Sequence, residues 1–128
     1  MMDVDGFKQV NDTYGHFCGD SVLITVADIL KSSLKSTDLF LARYGGDEFC
    51  IVMPAESRTV PDELLHRIQV NISEWNRMHK SRRPISLSVG YADWDETIDK
   101  TYESLISRAD KRMYEVKREK KNAMCEAS

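Results

Sequence analysis

Two glycines followed by two acids, Gly45-Gly46-Asp47-Glu48, separate two short apolar runs, Leu39 to Tyr44 and Phe49 to Met53. Paired glycines between strand-like runs predict a β-hairpin, because glycine adopts the positive φ that tight hairpin turns require. The second run is apolar without alternation, as in a strand covered on both faces. A chain containing this hairpin has to supply helices to cover the sheet.

Those helices are legible in the spacing. Met1 to Asp5 reads as a strand end, followed by a short helix over Phe7 to Thr13 and a break at Gly15. Leu23, Val26, Ala27, Leu30 and Leu34 recur at helical spacing, so a second helix is expected from Asp20 to Leu34, with Asp20 as its N-cap. Pro61 opens a third helix whose buried stripe is Leu64, Leu65, Ile68, Ile72 and Trp75. Ile85, Leu87, Val89 and Tyr91 alternate with Ser86, Ser88 and Gly90, giving a strand with one bare face that something can approach closely. A last helix over Thr101 to Lys121 buries Leu105, Ile106, Ala109, Met113 and Val116. The expected class is α+β, a mixed central sheet flanked by helices.

At 128 residues the chain is sized for one domain. No apolar stretch approaches the ~20 residues of a membrane helix, and the N-terminus has no signal-peptide pattern. Cys18, Cys50 and Cys125 are scattered without disulfide or metal spacing, which fits a reducing, cytoplasmic setting. The net charge of −3 is uneven: residues 108–121 carry seven basic side chains against three acidic, leaving −7 elsewhere. A basic end on an acidic chain suits a small phosphorylated ligand better than nucleic acid, which calls for a broad basic face; a solvated helix face fits the same charges.

Two acidic pairs stand out. Asp3 and Asp5 lie at i and i+2 of a strand end and share a face, the hard-oxygen chemistry that Mg²⁺ takes; equally, Asp5 fits as a cap for the next helix. Asp47 and Glu48 read either as solvated turn residues or as acids held rigidly beside Asp3 by the hairpin. If the sheet joins the two clusters, they form a metal–nucleotide site of the kind used in nucleotidyl transfer.

The residues resemble one family throughout. Arg43-Tyr44-Gly45-Gly46-Asp47-Glu48-Phe49 contains the GGDEF signature, and the opening pattern DxDxFKxxND, then GH and GD, appears as Asp3, Asp5, Phe7, Lys8, Asn11, Asp12, Gly15, His16, Gly19 and Asp20. Ser88-Val89-Gly90-Tyr91-Ala92 is similar to the family's SxGxA strand, and Ala109, Asp110, Met113, Tyr114 and Lys117 to its closing helix. The resemblance to GGDEF diguanylate cyclases implies the nucleotidyl cyclase and polymerase palm (ferredoxin-like) fold and the joining of two GTP into cyclic di-GMP at a homodimer interface. It implies Mg²⁺, with Mn²⁺ as an alternative, on Asp3, Asp47, Glu48 and the Val4 carbonyl. Glu48 and Asp47 would be the catalytic acids, and Asn11 and Asp20 would read the guanine edge. Lys8, Lys117 and Lys121 would meet phosphates beside the backbone at Phe7. An upstream sensor is the expected partner, with no membrane contact by the domain itself.

Three departures accompany the resemblance. The family pattern begins earlier, with a DxLTxLxNR helix and a full first strand, so residues 1–128 are expected to form a domain lacking that helix and most of that strand, with apolar sheet surface left uncovered. The product-inhibition motif RxxD is replaced by Lys35-Ser36-Thr37-Asp38, where lysine lacks the planar fork of arginine. Lys120 and Lys121 stand where the closing motif has glycine and arginine. The rival to an active cyclase is a regulatory module that binds GTP or cyclic di-GMP without turnover. His16, His66 and His79 read as structural or surface residues, and Trp75 and Trp94 as packing residues without a stacking partner.

Overall fold

The computed structural model describes residues 1–80 and 82–127. The elements run β1 (Met2–Val4), α1 (Phe7–Tyr14), α2 (His16–Ser33), β2 (Phe40–Gly45), β3 (Glu48–Val52), α3 (Pro61–Met78), β4 (Leu87–Val89) and α4 (Tyr102–Ala127). The strands form a sheet in the order β2-β3-β1-β4.

The sheet expected as mixed is antiparallel at every described pairing. The reason is topological. The helical connections from β1 to β2 and from β3 to β4 each skip one position, so strands of like direction are separated by an opposite one. The short β1 is therefore central, pairing Met2 with Phe49 on one side and with Val89 on the other. Its ladder continues past the strand ends: Asp5 N–H donates to the Ser86 carbonyl at 2.9 Å and Gly90 N–H to the Met1 carbonyl at 3.0 Å.

Alternation along β1 divides the core. Met2 and Val4 join Leu23, Val26 and Leu30 of α2, Leu64, Ile68 and Ile72 of α3, and Phe49, Ile85 and Leu87 in one cluster. On the other face Met1 packs with Ala109 and Met113 of α4. Leu30 is fully buried, so its truncation to alanine is expected to cost about 2–5 kcal/mol. Phe40 and Val52, a cross-strand pair on the hairpin, remain 68% and 54% exposed.

Several local expectations are corrected. Helix α2 begins at His16, with Gly15 (φ 88°) as its N-cap, so Asp20 lies inside the helix and caps nothing. Strand β4 is confined to Leu87–Val89 because its partner β1 is equally short. The bare face at Gly90 admits α4: a Cβ there would lie 2.1 Å from the Met113 backbone nitrogen and 2.5 Å from the Ala109 carbonyl oxygen. Helix α4 continues to Ala127, past the expected end at Lys121, and of its expected stripe only Ala109 and Met113 are fully buried. Trp75 does find a stacking partner in His79 (4.3 Å between centroids), and Trp94 meets Tyr102 at 5.8 Å.

Candidate active site

The hairpin and β1 bring the two acidic clusters together. Asp3 lies opposite Glu48 in the β1–β3 register, and Val4 N–H donates to the Asp47 carbonyl at 3.2 Å. Gly46 (φ 36°) and Asp47 form the two-residue turn between β2 and β3, and the register slips between Arg43 and Gly45. Arg43 Nε donates to the Gly46 carbonyl at 2.9 Å, bracing the turn from the β2 side.

The electrostatics of this corner are set by crowded carboxylates. Asp47 is pushed up to about 6, by burial first and then by the Asp3 carboxyl beside it. Glu48 is raised by burial, then by Asp110 and Asp3. Lys117 Nζ donates to Asp3 Oδ2 at 2.7 Å. Burial works against that ammonium, but the hydrogen bond and charge of Asp3, with Asp47 and Asp5 behind it, outweigh burial and raise its pKa.

The other oxygen of Asp3, Oδ1, is buried and has no hydrogen-bond partner. An orphaned carboxylate oxygen next to a second carboxyl fits a hard cation. No group of three or more His, Cys, Asp or Glu side chains gathers as a metal cage among the described residues. A bound Mg²⁺ would therefore draw on Asp3, Asp47 and backbone oxygen and complete its shell from substrate phosphates and water, its usual habit.

Asp5 shares the α4-facing side of β1 but neither points at this corner nor caps α1, whose N-cap is Gly6. Its carboxylate accepts from Ser86 Oγ and Ser88 Oγ, each at 2.6 Å, and from Lys120 Nζ at 3.0 Å. Burial opposes its charge, yet these bonds hold its pKa below the usual carboxylate value. Lys120 is the residue that sequence reasoning missed. Its signal was present as a basic residue three positions after Lys117.

The remaining expected site residues lie on α1, α2 and α4. Phe7 packs against the core at the start of α1. Asn11 is half-buried with an unpartnered Oδ1, pressed against Gly19, where a Cβ would come within 1.8 Å of that oxygen. Lys8, Asp20 and Lys121 are exposed, and their side chains make no hydrogen bond or ion pair among the described residues. Asp38 accepts from Ser57 Oγ at 2.8 Å, so the product-motif acid is tied to the loop ahead of α3.

The family model for the diguanylate cyclase GGDEF domain matches residues 1–123. The chain belongs to the GGDEF family. It is 36% identical to diguanylate cyclase A of Treponema denticola over 123 residues, 95% of this chain and 33% of that protein. It is 37% identical to the bifunctional diguanylate cyclase/cyclic di-GMP phosphodiesterase MucR of Pseudomonas aeruginosa over 129 residues, 98% of this chain and 18% of that one. The chain thus spans a third or less of the length of these relatives. Among solved structures, the GGDEF domain of DgcB from Caulobacter crescentus in complex with c-di-GMP matches with a TM-score of 0.74 at 33% identity, covering 91% of this chain and 69% of that one. SiaD, solved with its activator SiaC from Pseudomonas aeruginosa, matches with a TM-score of 0.74 at 32% identity, covering 92% and 45%. The GGDEF domain accordingly has the cyclase palm fold. No helix among the described residues is long and apolar enough to cross a membrane.

Proposed function

We propose that this domain is a diguanylate cyclase. The observation that carries the reading is the joining of Asp3, Asp47 and Glu48 at one corner of the sheet under Lys117. Relatives along 95% of the chain are named as cyclases, which supports the same reaction here.

In this reading Asp3 and Asp47, with the Val4 carbonyl, hold Mg²⁺ or Mn²⁺. The bound ion supplies charge neutralisation at the triphosphate. Glu48, its pKa raised, accepts the proton of the ribose 3′-hydroxyl. That oxygen forms a bond to the α-phosphorus of a second GTP while the bond to pyrophosphate breaks. A second, reciprocal transfer closes the ring, so two GTP yield cyclic di-GMP and two pyrophosphates. Lys8, Lys117 and Lys121 meet phosphate oxygens near the backbone at Phe7. Asn11 and Asp20 pair with the guanine edge, where a carboxylate accepts from the N1 and N2 donors that adenine lacks. Each domain holds one GTP, so two copies face one another, and control comes from an upstream sensor.

Incubation with GTP and Mg²⁺ should yield the linear dinucleotide and then cyclic di-GMP. Binding of GTP without either product would support a second reading, a regulatory module. That alternative draws on Lys117, whose ion pair with Asp3 occupies one of the metal-side oxygens.

A further inference from the structure

Lys120 sits three residues after Lys117 on α4, and its ammonium lies against three oxygens: the Leu87 carbonyl at 2.5 Å, Asp5 Oδ2 at 3.0 Å and Ser86 Oγ at 3.4 Å. An ammonium has three N–H donors and no acceptor, so these contacts use its full capacity and leave none for a phosphate. Asp5 is gripped from the other side by Ser86 and Ser88. The network therefore joins α4, β4, and the turn that follows β1.

The contacts of Lys117 and Lys120 are in step. Residues three apart on a helix share a face, and residues two apart on a strand share a face. Lys117 meets Asp3 and Lys120 meets Asp5, so α4 is fastened to the β1 segment at two successive points. The points differ in what surrounds them. Asp3 keeps one orphaned oxygen and has the Asp47 carboxyl beside it, so its pairing with Lys117 is exposed to exchange when other charges arrive. The partners of Lys120 are a backbone carbonyl, a hydroxyl and a carboxylate that each of two serines also holds by one oxygen.

We propose that Lys120 is a positioning residue: it anchors α4 to β1 and β4, and so keeps Lys117 over Asp3 while that pair trades partners with substrate. The substrate half of this statement rests on the cyclase reading; the anchor itself does not.

The test compares wild type with Lys120→Met, which keeps most of the aliphatic stem, with Asp5→Asn, and with the double variant. In the free proteins, hydrogen exchange of α4 amides 113–121 should be faster in Lys120→Met. GTP binding with Mg²⁺ should weaken about two- to fivefold, the range for losing a partly exposed charged contact. KM should rise while kcat changes little, and the double variant should bind no worse than the weaker single variant, because both changes break one link. Unchanged exchange overturns the proposal. So does faster exchange with unaltered GTP affinity, which would make Lys120 a structural staple only, and so do losses that multiply in the double variant. If wild-type protein binds no GTP, the cyclase reading falls while the exchange comparison alone decides the anchor.

Discussion

Lys117 donates to Asp3 at 2.7 Å across the interface between α4 and the central strand, and the Asp47 carboxyl lies beside Asp3. One cation thus serves two carboxyls, and it satisfies only Asp3. Asp47 bears the remainder as a raised pKa, caused first by burial and then by Asp3.

This imbalance predicts a pH-dependent cost. A carboxyl whose folded pKa stands at about 6 against 3.8 favours folding while protonated, and that contribution disappears as pH rises from about 4 through 6. Asp47→Asn removes the burden. Without metal, the variant should equal wild type near pH 4 and be more stable at pH 7 by about 1 kcal/mol, after allowing for solvent screening at a half-exposed group. Urea melts at the two pH values measure this. Mg²⁺ should stabilise wild type more than the variant, which retains Asp3 and the Val4 carbonyl but loses one anionic ligand. A variant less stable than wild type at pH 7 without metal would show that Asp47 is a favourable structural acid.

Gly90 supports a separate prediction about the fold. The backbone of α4 lies directly on it, so Gly90→Ala would force a Cβ to within 2.1 Å of a main-chain nitrogen that has no rotamer to escape through. The helix has to lift off the sheet. Destabilisation of about 2–4 kcal/mol is expected, with loss of the Lys117–Asp3 pair and of nucleotide binding. A melting temperature within a degree or two of wild type would mean that α4 docks less closely than the structure has it.

How much of this was readable in the sequence follows from the range of each signal. The hairpin, the Pro61 start of α3 and the stripe of α2 are local patterns, and all were legible. The joining of Asp3 to Asp47 and Glu48 was legible only as a consequence of the hairpin and through family resemblance, since 44 residues separate Asp3 from Asp47. Asp20 was misread as a cap because an acid ahead of an apolar stripe looks like a helix start, whereas Gly15 already turns the chain into α2. The bare strand face at Ser88 and Gly90 was seen, but spacing alone says nothing of what fills it; here it is a helix backbone and the Asp5 carboxylate. Lys120 was invisible as a clamp because its partners lie 33 to 115 positions away in sequence.

Feedback by product should be weak. Asp38 accepts a hydrogen bond from Ser57, and Lys35 brings a point charge where the family pattern has a planar guanidinium. Calorimetry with cyclic di-GMP should show little binding outside the active site. Tight binding that Asp38→Ala abolishes would show that the carboxylate leaves Ser57 readily and that lysine suffices.

Base selection gives the last prediction, because it separates two neighbouring residues with different roles. Asp20 is exposed on α2 and caps nothing, so Asp20→Ala removes no fold contact seen in the structure. Its expected effect is on choice: GTP should lose most of its advantage over ATP, about tenfold or more, because a polar site discriminates through the donors it leaves unpaired. Gly19 acts indirectly. Alanine there favours the helix by about 1 kcal/mol, yet its Cβ would lie 1.8 Å from Asn11 Oδ1 and push that side chain aside. Gly19→Ala should therefore weaken GTP binding while the melting temperature holds or falls only slightly, a split that simple unfolding cannot produce. Competition binding of GTP and ATP to both variants, with melts in parallel, measures the two effects together. Full GTP preference in Asp20→Ala would leave Asp20 without a role in recognition, and unaltered affinity in Gly19→Ala would remove Asn11 from the guanine site.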